Sequence, residues 1–315
     1  MGFVAYPPLV TAVSNAGGIG VLGNAVEPPP STAILIRMIR EGTSNLFGVD
    51  LLHDTTAFGP ATTDEHIAVC VAERVPLVVF HFNVPPRRWV DDLLAAGARV
   101  WQQAASVDQA CEAADVGVDA IVAQGRKASG HNRSRTPTLK LLKRVLHAVH
   151  PLMVLASGGI ATGTDLATAL AHGADGVWVG TRMIASTEAF AHEEYKRRLL
   201  RPHGHPATAI TTAFGPEYPN VNVPYRVLLT DLVRQVLGGE ASIPAAQPSD
   251  PPIGETILFP FTLRVPYTMP PFSAIIPTPD TTGDFERMGF AAGEESVTKL
   301  REIKPAAESS HRKSS

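Results

Sequence analysis

The sequence predicts an α/β fold built on a parallel sheet, either doubly wound or closed into a barrel. Three observations lead there. Short apolar runs rich in Val, Ile and Leu alternate with longer segments of helical period through residues 1–200. Those runs are apolar nearly throughout, the pattern of strands covered on both faces. Helices also end repeatedly on a glycine that a strand follows almost at once, in "AAGARV", "DVGVDAI" and "AHGADGV". Strict βα alternation of this kind makes a parallel sheet.

Taken in order, the chain opens on a helix over 7–16, followed by the strand "IGVLG" at 19–23. Ser31 is the expected N-cap of a helix over 31–41, which leads to the strand "LFGVDLL" at 46–52. A helix over 63–74 precedes "PLVVFHF" at 76–82, and one over 86–96 stops at Gly97 before "ARVWQQ" at 98–103. The helix over 106–116 stops at Gly117 before "DAIVAQ" at 119–124. A helix over 137–149 feeds "PLMVLAS" at 151–157. Thr162 caps the next helix, over 163–172, which stops at Gly173 before "DGVWVG" at 175–180 and a last helix over 187–200. That makes seven strands, whereas a closed (β/α)8 barrel has eight, so the missing one is expected immediately before Met1.

The rhythm breaks near residue 201. Residues 202–285 hold roughly half of all the prolines, a density that disfavours helices and central strands. One helix, over 224–238, interrupts this region. Three parts are therefore expected: a barrel over 1–200, an irregular proline-rich cap or arm over 201–292, and a short helix (293–304) with a disordered polar tail within 293–315.

Composition narrows the function classes. A net charge of −3 gives no basic footprint for nucleic acid or an anionic membrane. No apolar run reaches the roughly 18 residues of a membrane span, and "MGFVAYPP" lacks the basic start of a signal peptide. Gly2 is not set in a myristoylation motif, because Tyr6 stands where Ser or Thr is required. Cys70 and Cys111 lie far apart in helical segments, which suits buried thiols in a reducing cytoplasm rather than a metal site or redox pair. A cytoplasmic protein acting on a small molecule is the expectation.

The glycines of "GIGVLG", Gly18, Gly20 and Gly23, spell G-x-G-x-x-G, but a dinucleotide fingerprint follows a strand and opens a helix. Here a helix precedes the motif and the glycines run through the strand, so a helix cap and tight packing explain them better. "ASGGIATG" (156–163) and "VGTRMI" (179–184) are different. Each follows an apolar strand and precedes a helix at the end of the strand series, where barrels form phosphate sites. Glycine lets backbone N–H groups approach phosphate oxygens, and a tight turn is the plainer alternative. His131 lies beyond the strand at 119–124, on the same face as those loops. His81 in "FHF" sits where strand alternation would point it into the pocket. His147 and His150 close a helix, and His203 and His205 flank a glycine without a carboxylate at ligand spacing; no metal site is expected.

Together "LVTAVSNAGGIGVLG", "FGVDLL", "VVFHF", "GVDAIVAQG…SGH", "VLASGGIATGTDLATALAHGADGVWVGTRMIAS" and "AHEEYK" resemble the nitronate monooxygenase family, densely over residues 1 to about 200. The run 155–187 is the most specific piece and is similar also to FMN-dependent enoyl reductases and quinone reductases. The resemblance implies a (β/α)8 TIM barrel whose first strand is missing or truncated, with Met1 and Gly2 matching the end of that strand. It implies FMN as cofactor, its phosphate held by the loops of Ser157, Gly158 and Gly159 and of Gly180 and Thr181. Gln124 and Asp50 would face the flavin ring, Asp50 standing where the family has Asn. His131 matches the family histidine that binds or deprotonates the nitro substrate, with His81, Ser129 and Gly130 around it.

This chain departs from the family pattern at Lys127 for Glu, Ser129 for Gly, and Asn132-Arg133 for a residue followed by Gly. An ionised Asp50 accepts hydrogen bonds where an amide also donates, and near a flavin it would make reduction harder. Lys127 and Arg133 would push the other way, toward an anionic substrate. The activity implied is oxidation of alkyl nitronates or nitroalkanes with O2, giving a carbonyl compound and nitrite. An NAD(P)H-dependent FMN reductase of the quinone or enoyl thioester type is the alternative, and a non-catalytic barrel binding phosphate ligands is a third. A homodimer packed through the proline-rich arm is compatible with the sequence.

Overall fold

The computed structural model describes residues 1–201, 204–217, 224–239 and 250–310. Its centre is a curled sheet of seven parallel strands: β1 (Gly20–Asn24), β2 (Phe47–His53), β3 (Leu77–Phe82), β4 (Arg99–Ala104), β5 (Ala120–Gln124), β6 (Met153–Ser157) and β7 (Gly176–Trp178). They are hydrogen-bonded in chain order, so each strand pairs with the one before it and each connection returns through a helix. Both faces are buried. Leu77, Val79, Trp101, Ala120 and Val122 pack inside the curl, while Val78, Phe80, Val100 and Ile121 face the helix layer. The strands therefore read as unbroken apolar runs.

The seven expected strands stand within a few residues of their expected bounds, and the helix ends show why. Gly97, Gly117 and Gly173 take φ of +86°, +95° and +93°, left-handed turns that release each helix into the next strand. Thr162 accepts from Asp165 N and forms a capping box with it. Ser31 does not cap its helix, which runs Pro29–Gly42 from Pro28 and buries Ser31 inside. Proline is well placed in a first turn, where its missing N–H has no partner to lose. The helix expected over 187–200 is confined to Glu193–Leu200, where His192 accepts from Glu194 N and two glutamates occupy the first turn.

The proline-rich region departs most from expectation. Tyr225–Leu228 is a strand rather than the start of a helix, since it pairs with both Thr208–Thr211 and Gly130–His131; the helix begins at Asp231. Gly254–Leu258 pairs with Val265–Met269 despite Pro266, which is tolerated because its strand lies at the edge of the small sheet. The helix expected over 293–304 is only Glu294–Val297, and a second helix, Ala306–Ser310, follows Pro305. Residues 311–315 of the expected tail lie outside the described residues. Cap and barrel share one apolar cluster, in which Phe3, Val4, Leu9, Ile184 and Tyr195 pack with Val227, Met269, Ile275 and Phe290.

β1 and β7 are the unpaired edges of the described sheet. Between them runs a cleft of about 1050 Å³, lined by Gly20 and Val21 on one side and Val177 and Val179 on the other. Met1 stands at its upper end, its carbonyl so close to Gly23 that a Cβ there would approach to 2.1 Å; at Gly20 a Cβ would meet the Val10 carbonyl at 2.1 Å. The G-x-G-x-x-G glycines are thus packing residues. No helix among the described residues is long and apolar enough to cross a membrane.

Candidate active site

Strand alternation builds the site. Along β3, Val79 points into the curl, so His81, two residues on, points the same way. Asp50 pairs in register with Val79, Gln124 with Ser157, and Ser157 with Trp178. The inward row at the C-terminal ends is therefore Asp50, His81, Gln103, Gln124, Ser157 and Trp178, polar groups capping an apolar interior. These six border a cavity of about 210 Å³. Met1, Gly2, Ser129, Gly130, His131, Gly158, Gly159, Gly180 and Thr181 border the same cavity, so every site residue expected from sequence lies around one space. It adjoins the cleft between the sheet edges through Met1, Ile160 and Trp178.

The glycine loop after β6 is shaped by its neighbours. Gly158 and Gly159 hold φ of +104° and +82°. A Cβ on Gly158 would meet Ala128 N at 2.8 Å, and Thr138 Oγ1 donates to the Gly158 carbonyl at 2.9 Å. Only glycine fits both the dihedral and the space. Thr181 Oγ1 accepts from Gly293 N at 3.0 Å, which ties the start of the short helix Glu294–Val297 to the loop after β7. From that segment Glu295 reaches Lys127, and its Oε2 lies 3.2 Å from where a Gly159 Cβ would stand.

The departures at 127, 132 and 133 have structural partners. Asn132 is buried and donates to the Gly125 and Ala128 carbonyls, while its Oδ1 accepts from Ser134 N at 2.8 Å, so it staples the loop 125–134. Arg133 donates to Asp54 and Asn83, both at 2.8 Å, with its guanidinium 4.9 Å from the Phe82 ring centre. Neither Arg133 nor Lys127 borders the cavity, and each is paired with a carboxylate. The cationic pull on a substrate expected of them is thereby largely neutralised.

His131 and His81 are differently placed. The His131 ring is enclosed by Tyr225, 4.6 Å between ring centres, and by Phe82 at 6.2 Å. The backbone at Gly215 passes so near that a Cβ there would be 3.1 Å from His131 Nε2. Burial pushes its pKa down to about 4, with the Arg133 charge adding to the fall, so the ring is neutral at pH 7. His81 keeps 19% of its side chain exposed, and its Nδ1 sits against Asp50 Oδ1, though not along a hydrogen-bond line. The Met1 amino nitrogen is 3.8 Å from the other Asp50 oxygen. Gln103 was not singled out by sequence; it is buried, and its Oε1 has no hydrogen-bond partner among the described residues. Its signal was the second glutamine ending an otherwise apolar strand, the same position that marked Gln124.

Among the described residues no three His, Cys, Asp or Glu side chains stand close enough to hold a metal ion. His205, which has no carboxylate at ligand spacing in the sequence, stands 3.7 Å from the distant Glu294, and His203 lies outside the described residues.

The nitronate monooxygenase family profile matches residues 1–251. The chain is 33% identical over 241 residues to a (3aS,4S,5R,7aS)-5-hydroxy-7a-methyl-1-oxo-octahydro-1H-indene-4-carboxyl-CoA dehydrogenase of Mycobacterium tuberculosis, covering 76% of this chain and 64% of that protein. It is 30% identical over 240 residues to a nitronate monooxygenase of Paraburkholderia phytofirmans, covering 64% of this chain and 66% of that one. The chain thus spans a little under two thirds of the length of these curated relatives. Among solved structures, FabK from Thermotoga maritima matches with a TM-score of 0.76 at 28% identity, over 98% of this chain and 88% of that one. A nitroalkane oxidase from Streptomyces ansochromogenes matches at 0.75 and 26%, over 98% and 90%.

Proposed function

The chain belongs to the nitronate monooxygenase family, and from that premise we propose that it is an FMN-dependent oxidoreductase that oxidises alkyl nitronates or nitroalkanes with O2 to a carbonyl compound and nitrite. One observation carries the reading: a polar row at the strand ends and two glycine-bearing loops enclose a single cavity. The residues suit the cofactor. Gly158 and Gly159, both at positive φ, bring side-chain-free backbone to the cavity wall, which suits the approach of phosphate oxygens to backbone N–H groups. The buried, unpartnered Gln103 Oε1 suits a ring N–H donor. Gln124 and Asp50 would border the ring, and Ser157, Gly180 and Thr181 the phosphate end, with Met1 and Gly2 closing the side. FMN, when bound, supplies the electron transfer to substrate and oxygen that no amino acid side chain provides.

The chain's own part is placement. A neutral His131, held by Tyr225 and Phe82, would orient the nitro oxygens without bringing a fixed charge. Ser129 and Gly130 would shape the pocket beside it. A ring whose pKa is about 4 is a weak base at neutral pH, so positioning fits His131 better than proton abstraction. Replacing His131 with Asn is then expected to lower turnover of neutral nitroalkanes and preformed nitronates by similar factors, about tenfold or more. A loss confined to nitroalkanes would return the base role to His131.

The direct assay is nitrite and aldehyde release from propyl-3-nitronate by the flavin-loaded protein in air. The second reading, a dehydrogenase or reductase acting on a thioester, draws on the 33% identity to the carboxyl-CoA dehydrogenase and on the cleft adjoining the cavity, roomy enough for a long substrate arm. Bleaching of the flavin by NADH without nitrite from any nitronate would favour that reading.

A further inference from the structure

Two neighbouring strands bring a carboxylate and an imidazole together at the wall of this cavity. Asp50 on β2 and His81 on β3 share the inward face, because Asp50 pairs with Val79 and His81 follows two residues later. Nδ1 of His81 meets Asp50, which leaves Nε2, across the ring, as the nitrogen available to the cavity. Trp178 flanks the ring at 6.3 Å between centres. A carboxylate at one imidazole nitrogen selects the tautomer that presents the other as an acceptor, and it stabilises the cation formed once a proton is taken. Apo geometry off the hydrogen-bond line is usual for such pairs before substrate binds.

We propose that His81 is the proton-accepting catalytic residue for carbon-acid substrates in this site, and that Asp50 is its positioning residue. The inference rests on the proposed nitroalkane chemistry. In the step, the α C–H bond of a neutral nitroalkane breaks and an N–H bond forms at His81 Nε2. The electron pair stays with the substrate and moves onto the nitro oxygens, so the product is the nitronate. The proton then passes to solvent. Asp50 balances the imidazolium. The buried, neutral His131, bordering the same cavity, is left to orient the substrate.

The test separates proton abstraction from oxidation. With the flavin held reduced under anaerobic conditions, turnover is blocked, and exchange of the nitroethane α-hydrogens in D2O reads C–H cleavage alone. The wild-type protein is expected to accelerate exchange well above buffer. His81→Gln is expected to lose at least tenfold more of this exchange than of propyl-3-nitronate turnover in air, because a preformed nitronate needs no base. His131→Asn is expected to lower both in proportion. Asp50→Asn is expected to slow exchange at least tenfold, with Asp50→Glu recovering part of the rate. Melting curves of each variant report folding. Exchange no faster than buffer in the wild type, or His81→Gln losing both readouts equally while folded, would overturn the proposal. Exchange that depends on His81 without any nitrite from nitronates would leave the base in place and overturn the oxidation reading instead.

Discussion

At the scale of single residues, position was legible and environment was not. His131 and His81 stood out by their places at strand ends, Gln124 and Asp50 through the family resemblance, and all four border the cavity. Their chemistry depends on chain that is distant in sequence. Tyr225 and Gly215 enclose His131, and nothing near residue 131 announces them. Gly158 gives a residue-level prediction. Ala there would carry φ of +104° and a Cβ 2.8 Å from Ala128 N, so Gly158→Ala is expected to cost about 1–3 kcal/mol in chemical denaturation. It should also weaken flavin retention on gel filtration. Two buried groups set opposing pH dependences. His131, with its pKa held down to about 4, destabilises the fold as pH falls from about 6.5 toward 4, because the unfolded chain then binds the extra proton. Glu27, pushed up to about 7 by burial beside Tyr6, does the reverse: the folded chain binds more protons, and that contribution is lost as pH rises through 7. Between about 4.5 and 6.5 the two largely offset each other. His131→Asn removes one side, so its melting temperature is expected to rise relative to that of the wild type as pH falls from 7 to 4.5. A difference between variant and wild type that does not change with pH would contradict the lowered pKa of His131.

At the scale of elements, the sequence marks helix ends and buried strands well where the cause is local. Gly97, Gly117 and Gly173 turn the chain through left-handed dihedrals that depend on little else. Thr162 is another local signal, and its capping box with Asp165 satisfies N–H groups the helix cannot. Thr162→Ala is expected to cost about 1 kcal/mol of stability, read as a lower denaturation midpoint at unchanged slope. The misplaced elements have non-local causes. Tyr225–Leu228 is drawn into a strand by Thr208–Thr211 and Gly130–His131, a pairing no window around 225 contains. That pairing also fixes the loop bearing His131, so the site depends on the cap as well as on the barrel.

At the scale of the molecule, the resemblance to a TIM barrel is correct, and the seven strands counted in sequence are the seven of the curled sheet. What sequence did not reveal is that the proline-rich region is largely ordered into small sheets and shares a core with the barrel. Apolar residues there are scattered among prolines, and their common face exists only after the chain has folded back. Just past that region, Gly293 bonds to Thr181 and Glu295 stands by Gly159, so the C-terminal segment packs directly on the loops that border the cavity. The measurement that tests the central claim most directly is an anaerobic visible spectrum of the purified protein before and after propyl-3-nitronate. The account predicts an oxidised-flavin band that fades when the nitronate is added and returns with air as nitrite accumulates. A flavin band indifferent to the nitronate would contradict the proposed reaction, and a protein that holds no flavin after reconstitution would contradict the cofactor as well.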